Sequence, residues 1–359
     1  MTFDDLCPQA LQNSSFTVRV AISDICLAEE DIRITQLTPL YRKYWHETSQ
    51  GKIIGKLNQN LRLAFDKPSK TLRRAEGNGG VYHPTECRSL SSKELARLQS
   101  FPDKFLFANG RKNAKDVIGN SVPPGLMRAL VINIENKLFA RHIQASFPKS
   151  MSYLEILEAT WQEHLTPKDK NAPTVISTFA GCGGSSLGYS MAGFKELLVV
   201  EWNDNAVETF KLNFPDISIY HGDIIKLPIK ECMNLAELTK PGELDVLDGS
   251  PPCQGFSLAG KRQMKDTRNQ LFHEFARLLR GLQPKAFIIE NVSGMVKGKM
   301  KLIFADILRE LKASGYEVKC WLLNVKYFYV PQNRERLFFI GVRQDYWQEC
   351  LEKDSLTSL

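Results

Sequence analysis

The sequence predicts an α/β protein with a doubly wound, mostly parallel sheet and a smaller region ahead of it. From residue 173 onward, apolar strand-like runs alternate with amphipathic helical stretches. A glycine-rich turn follows the first of those strands, and acidic residues stand at the ends of later ones, where open α/β sheets keep their chemistry. With 359 residues, 43% hydrophobic and 24% charged, the chain can bury a sizeable core in one large or two modest domains. No apolar run reaches the roughly 18 residues of a membrane span. No charged-then-apolar leader follows Met1, so no membrane association and a cytoplasmic location are expected. The 8 cysteines are scattered without a C-x-x-C pair, so neither a metal site nor a disulfide framework is expected. The net charge is +7, and the positive excess falls within residues 1–150. A basic first segment suits a nucleic-acid partner, with a solvated basic face as the alternative.

In chain order, residues 1–60 hold a strand-like run at Phe16 to Ile22, an acidic patch at Glu29 to Asp31, and the cluster Tyr41, Arg42, Lys43, Tyr44, Trp45. Aromatics interleaved with basic residues suit contacts to bases and phosphates, and suit equally the packed surface of a small domain. Ser91 and Glu94 have capping-box spacing and open a helix to about Ser100, which Pro102 ends. Ile118 to Pro124 leads into an apolar helix from about Gly125 to Phe139, with Pro124 where a first turn tolerates it. Residues 140–172 read as a connector with one helix at Tyr153 to His164. Strands are expected near Val175–Thr178, Leu197–Glu201, Ile217–Tyr220, Leu244–Asp248, Phe287–Glu290, Val318–Val325 and Arg336–Val342. Helices are expected near Ser185–Met191, Asp204–Asn213, Leu271–Leu282 and Leu302–Ala313.

The first of those strands ends in Phe179-Ala180-Gly181-Cys182-Gly183-Gly184-Ser185. Its glycines permit a tight turn and a close ligand, and the helix that follows offers free N–H groups, which together imply a nucleotide-like cofactor. The pattern departs from the dinucleotide G-x-G-x-x-G, which weakens a Rossmann oxidoreductase reading. Glu201 ends the second strand, where it can accept hydrogen bonds from ribose hydroxyls, and Asp223 follows the third, within reach of an adenine amino group. Cys253 stands just past the Leu244–Asp248 strand, on a turn forced by Gly249, Pro251 and Pro252. Its local context leaves a nucleophile and a small buried hydrophobe equally open. Glu290 ends another strand in the same crevice. In Gln332-Asn333-Arg334-Glu335-Arg336, alternation puts both arginines on one face, directed into one site, with a surface salt bridge through Glu335 as the alternative. Residues 254–270 form a polar stretch with Lys261, Arg262, Lys265 and Arg268, suited to a mobile lid over phosphates.

Taken together, these motifs resemble those of the DNA cytosine-5 methyltransferases, over Pro68 to about Leu138 and Thr174 to about Val342. Phe179 to Gly184 is similar to the family's S-adenosylmethionine loop, Glu201-Trp202 to its ribose motif and Gly222-Asp223-Ile224 to its adenine motif. Pro251-Pro252-Cys253-Gln254 resembles the nucleophile motif, Glu290-Asn291-Val292 the acid motif, and Gln332 to Arg336 the arginine motif. The resemblance implies the S-adenosylmethionine-dependent methyltransferase fold, with S-adenosyl-L-methionine as cofactor. It implies cofactor contacts at Phe179, Gly181, Gly183, Gly184, Glu201, Trp202, Asp223, Ile224, Pro252, Leu271, Asn120 and Ser121, and catalytic roles for Cys253, Glu290, Arg334 and Arg336.

The order departs from the family's. Segments resembling Asp66 to Leu72 and Gly119 to Val122 come last in most members and first here, a circular permutation with the connector joining the usual ends. Gly119 to Leu138 is therefore expected to pack beside the Val175 to Met191 unit. The implied organisation is a small target-recognition region in 1–60, displaced motifs in 61–139, the connector 140–172, a catalytic domain 173–343 and a tail 344–359. Tyr41, Arg42, Lys43, Arg73 and Arg74 join Lys261, Arg262, Lys265 and Arg268 as expected DNA contacts. The implied substrate is a flipped cytosine in double-stranded DNA. A monomer is expected, with a companion restriction endonuclease linked by function and not necessarily by contact. A tRNA-modifying branch of the family is the nearest alternative, but its Cys-Phe-Thr signature is absent. The Cys253, Glu290 and Arg336 set argues against a DNA-binding subunit without its own activity.

Overall fold

The computed structural model describes residues 1–11, 16–29, 35–54, 60–73, 80–108, 110–139, 141–252, 267–298 and 300–357. Elements are numbered in chain order. Before the sheet come α1 (Val18–Ile22), α2 (Pro39–His46), the short strands β1 (Leu61–Arg62), β2 (Ser69–Lys70) and β3 (Val81–Tyr82), then α3 (Ser92–Leu98), α4 (Gly110–Asn120), α5 (Pro124–Leu138) and α6 (Tyr153–Leu165). The sheet region runs β4 (Thr174–Thr178), α7 (Gly184–Met191), β5 (Lys195–Glu201), α8 (Asp204–Asn213), β6 (Ser218–His221), α9 (Ile229–Leu235) and β7 (Val246–Gly249). It continues with α10 (Thr267–Leu282), β8 (Ala286–Val292), α11 (Met300–Ala313), β9 (Tyr316–Asn324), β10 (Gln332–Asn333), β11 (Glu335–Arg343) and α12 (Gln344–Thr357).

The main sheet has seven strands in the order β6-β5-β4-β7-β8-β11-β9. The first five are parallel, and β11 runs antiparallel to both β8 and β9. All seven expected strands are present, and α8 has the expected limits. The central strands are buried and start with apolar residues because helices cover both faces: β7 is buried at every residue and β8 at all but its last. The chain moves from β4 outward to β6 and then returns to the other side of β4 for β7. That reversal opens a crevice at the carboxyl ends of β4 and β7, the usual ligand position in such sheets.

The N-terminal half completes this body. Leu126, Met127, Leu130 and Val131 of α5 are fully buried in one cluster with Val175, Tyr189, Phe194, Ile288 and Phe338. Each such side chain contributes about 1.5–3 kcal/mol by leaving water. The contact of α5 with α7 depends on a missing side chain: a Cβ at Gly188 would lie 2.6 Å from Met127 Cβ and 2.9 Å from the Arg128 amide. Helix α5 thus packs beside the β4–α7 unit, as expected. Strand β2 pairs in parallel with β10, Ser69 opposite Gln332, and so joins the two halves again. Ser91 and Glu94 form their capping box at α3, and Ser152 with Glu155 forms another at α6.

Two expectations change. Phe16 to Ile22 is not a strand; Val18 to Ile22 is a helical turn whose buried Val18, Ala21 and Ile22 have i, i+3, i+4 spacing, and its β-branched content masked that period. Residues 344–357, for which no helix is expected from the sequence, form α12, with Trp347 and Cys350 in the main core and Tyr346 Oη on the Leu138 carbonyl at 2.7 Å. Around α2 lies a small separate core of Leu37, Trp45 and Ile54. No helix among the described residues is long and apolar enough to cross a membrane.

Candidate active site

The carboxyl ends of β6, β5, β4, β7 and β8 carry Asp223, Glu201, Gly181, Pro252 and Glu290 as a row across adjacent strands. At the β4 end, Phe179, Gly181 and Gly183 all take positive φ (55°, 58° and 93°). A Cβ at Gly183 would meet the rings of Phe214 and Phe210 at 2.7 and 3.0 Å, whereas one at Gly181 would meet nothing within 4 Å. The turn is packed from below and open in front. Glu201 holds it: its carboxylate accepts from the amides of Gly181 (2.7 Å), Trp202 (2.9 Å) and Asn203 (2.8 Å). Of about four lone-pair sites on a carboxylate, one is left for a ligand.

The Trp202 ring beside it is 74% exposed. Asp223 is exposed and accepts from the Ile225 amide at 3.0 Å, which fixes the turn that carries buried Ile224. Arg277 of α10 donates to the Ile224 carbonyl at 3.1 Å, and Leu271, one turn into α10, packs with Phe179 against the same cluster. Ser121 Oγ lies 3.0 Å from Cys182 Sγ and bonds the Val117 carbonyl at 2.7 Å, so the start of α5 adjoins the glycine turn, while Gly184 faces the Val122 carbonyl. Open space before Gly181, an exposed indole and an acid with a spare lone pair fit a nucleoside-bearing cofactor.

A cleft of about 620 Å³ lies beyond β8. Thr71 to Arg73 and Gly119 to Asn120 form one part of its wall; Val292, Ser293, Asn333, Glu335 and Arg336 form the other. Arg336 Nε contacts Glu290 Oε1 at 2.7 Å, both largely buried, and its Nη1 donates to the Glu335 carbonyl at 2.8 Å. Phe338 stands opposite Glu290 in the ladder, so Arg336, two residues away on the same face, reaches the acid diagonally. Asn291 Nδ2 donates to the Pro251 carbonyl at 3.3 Å and ties β8 to the turn that leads to Cys253.

The two arginines do not share one site. Arg334 is 1% exposed and donates to the carbonyls of Leu72 (3.2 Å), Gly119 (3.0 Å) and Ser121 (3.1 Å). Simple alternation fails because the chain leaves the sheet at β10 to pair with β2, which turns Arg334 inward. Burial, then the charge of Arg336, pushes its pKa down, while Glu290 opposes that shift. Arg73 lines the cleft. Arg42 and Lys43 are exposed on α2, and Tyr41 stacks on Tyr82 with centroids 6.2 Å apart. Trp45 of the same cluster is buried under Arg62, whose guanidinium lies 3.7 Å from its ring. Cys253, Arg74, Lys261, Arg262 and Lys265 and the Arg268 side chain lie outside the described residues.

The C-5 cytosine-specific DNA methylase family model matches residues 17–136 and 173–357. The chain belongs to this family. Among its relatives, the Type II methyltransferase M1.HphI of Haemophilus parahaemolyticus is 42% identical over 171 residues, 47% of this chain and 45% of that protein. M.AquIA of Picosynechococcus sp. is 40% identical over 178 residues, 47% of this chain and 71% of that protein. M.PspPI of Psychrobacter sp. is 33% identical over 233 residues, 64% of this chain and 53% of that protein. The chain thus spans about half the length of most of these relatives. Among solved structures, S. pombe Dnmt2 methyltransferase aligns at 23% identity with a TM-score of 0.39, covering 48% of this chain and 50% of that one.

Proposed function

We propose that this chain transfers a methyl group from S-adenosyl-L-methionine to C5 of a cytosine in a specific double-stranded DNA sequence, as the modification enzyme of a restriction–modification system. The observation that carries the reading is the Arg336–Glu290 pair at the cleft, on the strand next to the one that leads to Cys253. Family membership supplies the reaction class. When bound, the cofactor supplies an electrophilic methyl group. Phe179, Gly181, Gly183 and Gly184 shape its seat with Pro252, Leu271, Asn120 and Ser121 around it. Glu201 would accept from its ribose and Asp223 from its adenine amino group, and Trp202 and Ile224 would hold the base.

The cytosine leaves the duplex to enter the cleft, as in methyltransferases generally. The Cys253 thiolate bonds to C6, which gives C5 the nucleophilic character of an enamine. Glu290 hydrogen-bonds the N3 and amino edge of the ring and gives it a proton. Arg336 orients Glu290 and the base. After methyl transfer C5 loses its proton to water, the C6–S bond breaks to restore the Cys253 thiolate, and N3 returns its proton to Glu290. Arg334 acts behind the site. DNA contacts come from Arg73, Arg74, Tyr41, Arg42 and Lys43, and from Lys261, Arg262, Lys265 and Arg268 in the stretch after Cys253. The protein works as a cytoplasmic monomer alongside a companion endonuclease.

The proposed chain order is permuted: 61–139 serves as the family's usual C-terminal part, 140–172 as the join, 173–343 as the catalytic domain, and 1–60 contributes to target recognition. The burial of α5 against α7 and the β2–β10 pairing support this arrangement, as does the interval 137–172 between the two matched segments. Incubation of the purified chain with labelled cofactor and either unmodified DNA or tRNA tests the activity, and bisulfite sequencing of the DNA product locates the target. Label in DNA, lost in Cys253→Ser while cofactor still binds, is expected; near-normal turnover by that variant would sink the mechanism.

A further inference from the structure

A ring of buried polar side chains closes behind the cleft. Gln99, which ends α3, donates from Nε2 to the Ser121 carbonyl at 2.7 Å, and its Oε1 accepts from Gln332 Nε2. Gln332 Oε1 accepts from the Leu72 amide at 3.0 Å, and the Leu72 carbonyl accepts from Arg334 Nη1 at 3.2 Å. Arg334 Nη2 returns to the Ser121 carbonyl at 3.1 Å and closes the circuit, with the Gly119 carbonyl also on Nη1 at 3.0 Å. Gln99 and Gln332 are both 0% exposed.

None of the three side chains lines the cleft; each holds backbone that does or adjoins it. Leu72 and Gly119 are wall residues, and Ser121 directly follows wall residue Asn120. Apolar side chains of similar volume would fill the same space without fixing the distance between these segments. A polar network fixes it, because each displaced partner leaves a buried group unpaired; Arg334 Nε, outside the circuit, already has no hydrogen-bond partner among the described residues.

We propose that Gln99, acting through Gln332 and Arg334, is a positioning residue for methyl transfer: it sets the spacing of the Thr71–Arg73 and Gly119–Asn120 segments within one part of the cleft wall and so the orientation of the base that rests against it. This rests on the methyltransferase reading above. A misplacement of about 1 Å at such a site costs on the order of a hundredfold in rate.

The test measures kcat and KM for DNA, and the melting temperature, in the full chain and in Gln99→Met, Gln332→Met and the double variant. Each single change is expected to lower kcat about tenfold or more while KM for DNA stays within about twofold. The double variant should be no slower than the worse single, because one break already opens the ring. Single variants that turn over within about twofold of the unsubstituted chain, or losses that multiply in the double, overturn the proposal. If Gln99→Met does not fold, Gln99→Glu replaces it, since it still accepts from Gln332 but no longer donates to Ser121; the same kcat loss is expected and its absence counts against the ring. No transfer by the unsubstituted chain would instead overturn the methyltransferase reading, and this role with it.

Discussion

The core beneath the cofactor turn holds two carboxyls whose charges repel. Glu196, in β5, buries both carboxylate oxygens without a hydrogen-bond partner of good geometry. The Asp248 carboxyl, in β7, accepts a long 3.3 Å bond from Tyr189 Oη. Burial raises the pKa of Glu196 from its ordinary 4.5 to about 7, partly offset by the Ser177 and Ser186 hydroxyls. Burial, then the charge of Glu196, raises Asp248 as well. An acid whose pKa is higher in the folded state holds its proton more tightly there. The stability this contributes is complete below about pH 4.5 and is lost as pH rises through about 7. The span between those values corresponds to about 3 kcal/mol at pH 8. Glu196→Gln keeps the shape and cannot ionise, so the variant should match the natural chain near pH 4.5 and exceed it by about 3 kcal/mol at pH 8. In thermal melts of a 359-residue chain this is a gain of roughly 4 °C at pH 8. Parallel melting curves for the two proteins from pH 5 to pH 8 would refute a buried, proton-holding Glu196.

Three further substitutions probe other contacts. Gly188→Ala drives a methyl group into Met127; overpacking of about 1–3 kcal/mol outweighs a helix gain of about 1 kcal/mol, so calorimetry should show a melting temperature lower by a few degrees. An unchanged melting temperature would mean that α5 does not press on α7. Glu201→Ala removes the acceptor for three amides as well as the proposed ribose bond, and titration calorimetry should find S-adenosylmethionine binding weakened roughly 10–100-fold. Arg336→Lys keeps the charge but not the planar donor that serves Glu290 and the Glu335 carbonyl together. A kcat lower by about a hundredfold in a protein that melts normally is expected; turnover within threefold of the natural chain would remove Arg336 from the mechanism.

The sheet was legible because its strands and helices carry their own period. Val175-Ile176 and Phe287 to Ile289 are apolar runs, as strands covered on both faces require, and Glu201 and Asp223 mark strand ends by their chemistry. Arg334 was not legible in this way. Its orientation depends on Gln332 and Asn333 pairing with Ser69 and Lys70, a contact across more than 250 positions that no local pattern announces. Helix α4 was missed because its first turn is polar, although Ala114, Val117 and Ile118 hold helical spacing and are buried. Gln99 falls inside the helix expected to about Ser100 and carries no local signal, since a glutamine gives no sign of which distant carbonyl it will meet.

The charges around the cleft explain why burying Arg334 is tolerable. Its guanidinium faces three carbonyl oxygens and no carboxylate of its own, and Arg336 stands near enough to repel it. Glu290 relieves both guanidiniums, directly at 2.7 Å for Arg336 and at longer range for Arg334. Two positive charges and one negative leave the group with a net positive charge at the inner end of a cleft whose wall also carries Arg73. An anionic ligand entering the cleft therefore meets a field that attracts it, as the proposed DNA substrate requires, while the ring around Arg334 keeps that charge from shifting toward the ligand. Removing the Glu290 carboxylate would take away the proposed proton donor and leave two buried guanidiniums opposed. Function and stability are coupled most tightly at that residue, and catalytic measurements on Glu290 variants need a melting curve beside them.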